Sequence, residues 1–215
     1  MIIEIKNYCK RIRKTVILDH INLTMESSNI YGLRGVNGSG KTMLIRAICG
    51  LLNSSEGEVI IDGKRIGHDL SFPHSVGVLI ESPAFLPNYS GFDNLKMIAS
   101  LKNIATEEMI RDSLRDVGLD PNDKRVFRKY SLGMKQKLGI AAAIMEKPEL
   151  IILDEPFNAL DDKSANNVRK IIIREKERGA LIIIACHDLS ALESLSDQII
   201  HISEGRVVKV EGESD

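Results

Sequence analysis

No surplus of either charge marks this chain. Lys and Arg number 29 against 30 Asp and Glu, a net charge of −1, so electrostatics give no case for nucleic acid as a general partner. One local exception, Lys10, Arg11, Arg13 and Lys14, reads as a solvated loop in preference to a phosphate or partner contact. Cysteine is scarce. Cys9, Cys49 and Cys186 stand far apart with no CxxC pair, which leaves metal and redox motifs of that spacing unsupported. An odd, scattered set fits the reducing cytosol. Long apolar runs are missing too. The longest, Ala180 to Cys186, is far below the ~20 residues a membrane helix needs. Met1 to Lys6 alternates instead of forming a signal-peptide core. Any membrane role is therefore expected to run through another protein. There is no internal repeat or low-complexity tract. What remains is a 215-residue chain with 43% hydrophobic and 27% charged residues, able to bury roughly 70% of its unfolded surface.

The most informative stretch is Gly35-Val36-Asn37-Gly38-Ser39-Gly40-Lys41-Thr42, which fits GxxxxGK[ST], a phosphate-binding loop. Phosphate oxygens need several N–H donors at close range, and a backbone with few Cβ atoms wraps most tightly. Gly35, Gly38 and Gly40 supply that freedom. Lys41 places a point charge on the β- and γ-phosphates, and Thr42 offers a hard hydroxyl oxygen to Mg²⁺. Asn37, Ser39 and Met43 complete the nucleotide-binding set. Ile30, Tyr31 and Leu33 read as a strand before the loop. Met43 to Ile48 reads as a helix after it, with its N-terminus under the anion.

The rest of the chain alternates in character. Ile3 and Ile5, then Ile21, Leu23 and Met25, alternate with polar neighbours as half-buried strands. Residues 57–63 and 76–80 are further strands, ended by Pro83 and Pro87. Residues 91–118 turn helical, with Thr106 as a cap and Gly118 and Pro121 as stops. Ser131 to Glu146 is another helix. Leu150 to Leu153 and Ala180 to Cys186 are continuous apolar runs, the mark of strands buried on both faces of a parallel sheet. A helix from Asp161 to about Arg178 separates them. Ile199–Ile202, a turn at 203–205 and Val207–Val210 read as a closing hairpin.

Leu153-Asp154-Glu155-Pro156 closes the first buried strand. Carboxylates at a strand's C-terminal end stand where α/β sheets hold ligands. Asp154 suits Mg²⁺ or its water shell, and Glu155, one residue on, suits activation of an attacking water.

The phosphate loop, Leu-Asp-Glu-Pro, Phe157-Asn158-Ala159-Leu160-Asp161 and His187 occur in one chain in this order. In this the chain resembles the nucleotide-binding domain of ATP-binding cassette (ABC) transporters over essentially its whole length. The family signature is usually Leu-Ser-Gly-Gly-Gln; here the matching segment is Tyr130-Ser131-Leu132-Gly133-Met134. Ser131 and Gly133 match, while Leu132 and Met134 depart. The resemblance implies that Ser131 and Gly133 meet ATP bound by a second subunit, in a head-to-tail and expectedly homodimeric pair. A helix cap at Ser131 is compatible with that role. The family's glutamine position falls on Glu81, and two readings stand there: a metal ligand or a solvated loop acid. A Glu there, with the Tyr-Ser-Leu-Gly-Met wording, resembles the subgroup that exports or confers immunity to bacitracin-like and lantibiotic peptides. His187 matches the histidine that senses the γ-phosphate, and Asp161 the acid that communicates across the dimer. Tyr8 is either the aromatic that stacks on adenine or a core tyrosine.

The implied fold is α/β: a P-loop NTPase (RecA-like) core with an N-terminal antiparallel β lobe and an inserted helical subdomain. Residues 1–215 form one ABC ATPase domain, with the β lobe and core at about 1–87 and 148–215 and the helical subdomain at about 88–147. The implied function is Mg²⁺-dependent ATP hydrolysis, with Glu155, His187 and Lys41 catalytic and Thr42, Asp154 and Glu81 around the metal. Hydrolysis would drive a transmembrane subunit that exports an antimicrobial peptide, drug or lipid-like compound, with this chain peripheral at the cytoplasmic face of the cell membrane. The alternative is a soluble ABC ATPase of assembly, translation or repair.

Overall fold

In the computed structural model, which describes residues 1–81 and 83–212, two sheets share the work of positioning one loop. The first is antiparallel, in the order β2-β1-β4-β5, from Ile2–Ile12 (β1), Thr15–Glu26 (β2), Glu56–Ile61 (β4) and Lys64–Arg65 (β5). The second has six strands in the order β10-β9-β3-β8-β7-β6. These are Ile30–Arg34 (β3), Val76–Leu79 (β6), Leu150–Asp154 (β7), Leu181–Ala185 (β8), Gln198–Ser203 (β9) and Arg206–Glu211 (β10). All neighbours in it are parallel except β9 and β10, which form the expected hairpin.

The pleat explains the two apolar runs. Along β7, Leu150 and Ile152 face the core between the two sheets, whereas Ile151 and Leu153 face the helices. On β8, Leu181 and Ile183 point one way, Ile182 and Ile184 the other. Both faces are buried, so a period of two cannot show as apolar–polar alternation. Helix α1 (Lys41–Ile48) packs its Leu44, Ile45 and Ile48 into the inter-sheet core beside Ile3, Leu18 and Ile21. On the opposite face lie α2 (Gly91–Lys102), α3 (Glu107–Asp116), α4 (Leu132–Ile144), α5 (Asp162–Glu177) and the short α6 (Leu189–Glu193). The helical stretch expected over 91–118 is two helices, because Asn103 leaves α2 in the left-handed region at φ 54° and Thr106 then caps α3 through its hydroxyl.

The basic run at 10–14 is a loop only at Arg13 and Lys14, an exposed two-residue turn. Lys10 and Arg11 belong to β1, and the chain turns at Arg13, whose φ is 56°, into β2. Lys10 Nζ donates to the Asn53 carbonyl at 2.7 Å, and Arg11 pairs with Glu56 at 2.9 Å. Local charge masked a β-hairpin whose strands are anchored by pairing farther along.

Candidate functional site

Register brings the chemistry together. Leu33 of β3 lies opposite Ala185 of β8, and Ala185 lies opposite Asp154 of β7. Three strand ends therefore finish in one row, and the segments leaving them converge: the phosphate loop after β3, Glu155 after β7, Cys186 and His187 after β8. This is the crevice beyond the carboxyl ends of the strands in an open α/β sheet.

The loop itself needs special backbone. Gly40, at the N-cap of α1, has φ 113°, a conformation that strains any residue with a Cβ. The Ser39 hydroxyl is buried and has no hydrogen-bond partner. A buried orphan hydroxyl is costly unless a ligand uses it, and a phosphate oxygen is an acceptor suited to it. Lys41 is 7% exposed, and its ammonium donates to the Gly35 carbonyl at 2.6 Å and that of Val36 at 3.3 Å. It is held inside the loop by groups that a phosphate can replace.

Thr42 Oγ1 donates to Asp154 Oδ2 at 2.8 Å across 112 positions of sequence. Burial pushes the Asp154 carboxyl above its ordinary value, with the Thr42 hydrogen bond opposing that and the Glu155 charge adding to it. A hydroxyl and a carboxylate in contact, beside an anion loop, are the hard oxygen donors that Mg²⁺ takes. Glu155 comes next at φ 50°, its N–H bound to the Ala185 carbonyl at 2.8 Å. That left-handed backbone aims the side chain off the strand path, and one carboxylate oxygen meets His187 Nδ1 at 2.9 Å. Gln136 of α4 donates to the Glu155 carbonyl at 2.9 Å, tying the helical layer to this turn.

Most of these groups line an open cleft of about 620 Å³, though Gly35 and His187 are not on its walls. Asn37 through Met43, Glu81, Asp154 and Glu155 are on its walls. Glu81 has φ 56° and its carboxylate is paired with Arg46 of α1 at 2.7 Å, not with Thr42 or Asp154. Ser131 caps α4 by accepting from the Met134 N–H at 3.2 Å. Gly133 sits where a Cβ would lie 2.7 Å from the Ala159 carbonyl oxygen, so only glycine lets these two loops touch. Asp161 caps α5, accepting from the Ser164 N–H at 2.8 Å; hydrogen bonding with the Ser164 side chain, and then with that N–H, holds its carboxyl below the usual range.

Tyr8 is a correction. It is 2% exposed in the inter-sheet core and its hydroxyl donates to the Leu52 carbonyl at 2.6 Å. Burial raises the phenol to about 12. No face of that ring is free to stack on a base. Ile17, on the adjoining strand, lines the cleft instead. Gln136, Asn158 and Ala159 line it too, and the residue pattern alone did not point to them as ligand contacts. Asn158 and Ala159 lie in the Phe157-to-Asp161 segment that carries the resemblance, but only the fold places them, with Gln136, on the cleft wall.

The converging strand ends, the phosphate loop and the carboxylate pair define a phosphate-loop nucleotide-binding cassette. The ABC transporter family model matches residues 18–158. ABC transporter ATP-binding protein YybJ of Bacillus subtilis (strain 168) is 47% identical, with 95% of this chain and 94% of that protein covered. Bacitracin transport ATP-binding protein BcrA of Enterococcus faecalis is 39% identical over 97% of this chain and 68% of that protein. Lantibiotic transport ATP-binding protein SrtF of Streptococcus pyogenes is 37% identical over 96% and 89%. Among solved structures, an ATP-binding subunit of an ABC transporter superposes with a TM-score of 0.89 at 25% identity, covering 98% of this chain and 89% of that one. A dimeric ATP-binding cassette with ADP and phosphate bound has a TM-score of 0.87 at 21% identity and 97% coverage of both chains, which speaks to the fold. The chain belongs to the ABC transporter family. It is an ATP-binding subunit and an ABC ATPase. The soluble, non-transport alternative gains no support from these relatives. Among the described residues no helix is long and apolar enough to cross a membrane.

Proposed function

We propose that this subunit hydrolyses Mg·ATP in a head-to-tail homodimer to drive a transmembrane partner that exports an antimicrobial peptide or similar amphipathic compound. The cargo class is supported by two relatives whose names state bacitracin and lantibiotic transport. Glu81 at the family's glutamine position argues the same way. The chain works at the cytoplasmic face of the membrane through that partner, and residues 88–147 act as the helical lobe of a single ATPase domain.

The observation that carries the chemistry is the contact of the Thr42 hydroxyl with Asp154 beside the phosphate loop. Thr42 and Asp154 would hold Mg²⁺, with Glu81 within reach of its water shell once released from Arg46. Bound there, Mg²⁺ supplies charge neutralisation on the β- and γ-phosphates. Lys41 exchanges its carbonyl partners for phosphate oxygens, and Ser39 finds the acceptor it lacks. Glu155 accepts a proton from the attacking water. His187, in contact with Glu155, orients that carboxylate and donates toward the γ-phosphate. Ser131 and Gly133 of one copy close over the nucleotide of the other, excluding bulk water, and Asp161 reports closure across the seam.

Glu155→Gln tests the assignment. Turnover should fall by about two to four orders of magnitude, the usual worth of a general base. ATP binding should persist, and a nucleotide-dependent dimer should accumulate on size exclusion. Hydrolysis at the parental rate would remove Glu155 from its role.

A further inference from the structure

Outside the phosphate cradle, two groups of His, Cys and Glu side chains among the described residues bring three metal-ligating atoms together: Cys9, His20 and Glu56, and Glu155, Cys186 and His187, with each group's ligand atoms within 4.8 Å of one another. They differ in what else holds those atoms. In the first, Glu56 is engaged by Arg11 at 2.9 Å and His20 Nδ1 by Asp19 at 2.5 Å, so a cation would have to break contacts to outsiders. In the second, the contact of His187 Nδ1 at 2.9 Å is to Glu155, another member of the group.

We infer that Glu155, Cys186 and His187 form a second, inhibitory cation site, selective for a thiophilic divalent ion such as Zn²⁺. This rests on the proposed roles of Glu155 and His187 in turnover. The strand ends set the geometry: β7 and β8 are parallel neighbours whose last residues, Asp154 and Ala185, are in register. Immediately beyond them stand Glu155 on one strand and Cys186 and His187 on the other. Tetrahedral zinc with sulfur, nitrogen and oxygen ligands at about 2.0–2.3 Å has ligand–ligand edges of roughly 3.5 Å. The trio meets that by a movement of roughly 1 Å, the imidazole–carboxylate edge being shorter than this already. The fourth position is left to water. The thiol provides the selectivity, because a thiolate favours zinc over magnesium while the oxygen donors Thr42 and Asp154 favour magnesium.

The thiol's surroundings fit a site that stays silent until zinc arrives. Cys186 is 3% exposed, its sulfur held in the cluster beside Glu155 and His187. On binding, the S–H proton leaves to solvent as the zinc–sulfur bond forms. The Asp188 N–H, 3.4 Å from Sγ, stabilises the thiolate that results. His187 is exposed and gives the ion its route in. Zinc held here takes the water-activating carboxylate and the phosphate-sensing imidazole at once, so hydrolysis stops while the phosphate loop stays intact.

The test uses the full chain without nucleotide, then with Mg·ATP. Co²⁺ added to the nucleotide-free protein should give one equivalent of binding with a thiolate-to-cobalt charge-transfer band in the near ultraviolet. Cys186→Ser should lose that band. With free Zn²⁺ set by a metal buffer at saturating Mg·ATP, parental ATPase should fall at least tenfold and recover on chelation. Measured against its own zinc-free rate, Cys186→Ser should need at least about tenfold more zinc for half inhibition, since a direct ligand is worth no less than the tenfold to hundredfold of an outer-shell partner. The absence of a thiolate band in the parental protein would overturn the site, whether or not the variant folds. Equal zinc sensitivity of the two proteins would do the same. Failure of the parent to hydrolyse ATP without zinc would instead count against the catalytic reading and leave the cobalt result standing.

Discussion

Ser131 separates a structural from a catalytic role through two substitutions. Its hydroxyl caps α4 at 3.2 Å from the Met134 N–H. Ser131→Ala removes that acceptor and should cost about 1 kcal/mol, a fall in Tm of roughly 2–4 °C for a chain of this size. Ser131→Asp restores the cap, because Asp is as good an N-cap as Ser. It also complements the dipole of α4, which has no acid in its first turn. Its Tm should match or exceed the parent's. If the same hydroxyl meets the partner's γ-phosphate, Asp replaces a donor by a negative charge facing an anion. Hydrogen bonds to charged groups contribute about 1.5–3 kcal/mol, so losing one lowers turnover by roughly tenfold to more than a hundredfold. Repulsion adds to the loss. The assay pairs thermal melting with steady-state ATP hydrolysis across protein concentration, which reads dimer closure. The expected pattern is opposite ranking: Asp best in Tm and worst in turnover. An Asp variant with parental ATPase at every concentration would show that Ser131 is a cap and nothing more.

Two further substitutions test the site's walls. Tyr8→Phe leaves the Leu52 carbonyl without the donor it has at 2.6 Å, so stability should fall by about 1–3 kcal/mol in denaturant titration while ATP affinity by calorimetry stays unchanged; weaker ATP binding would restore the adenine-stacking role. Asp154→Asn should abolish Mg²⁺-dependent turnover yet raise Tm at neutral pH. The sign comes from burial: the folded-state value of Asp154 is raised, so its ionisation costs the folded state stability as pH climbs through the window above the unfolded value. The gain should shrink below the carboxylate range, and an Asn variant less stable than the parent at pH 7 would refute it.

Much of this protein was legible in its residues because the chemistry is local in sequence. The phosphate loop packs its donors, cation and metal oxygen into eight consecutive positions, Gly35 to Thr42. The runs at 150–153 and 180–186 announce strands buried on both faces, since no pleat with a wet side tolerates unbroken apolar residues. Those segments placed Asp154, Glu155 and His187 at strand ends without any coordinates. Where local signals competed, they misled in part: four basic residues between 10 and 14 looked like a loop, yet pairing with β2 made Lys10 and Arg11 strand. Tyr8 looked like a stacking platform by position, but which face of β1 meets the second sheet is set by packing and not by its neighbours.

The sequence by itself determined the family and the residues proposed to meet phosphate and metal, because each is written as residue types at fixed short spacings. Only the tertiary structure decided which side chains become neighbours across more than a hundred positions. The Thr42–Asp154 contact, the pairing of Arg46 with Glu81 and the meeting of Glu155, Cys186 and His187 all result from the order β3-β8-β7-β6 in the larger sheet. Strand order is a long-range choice, made when buried strands find partners that satisfy every backbone hydrogen bond, and no window of sequence contains it.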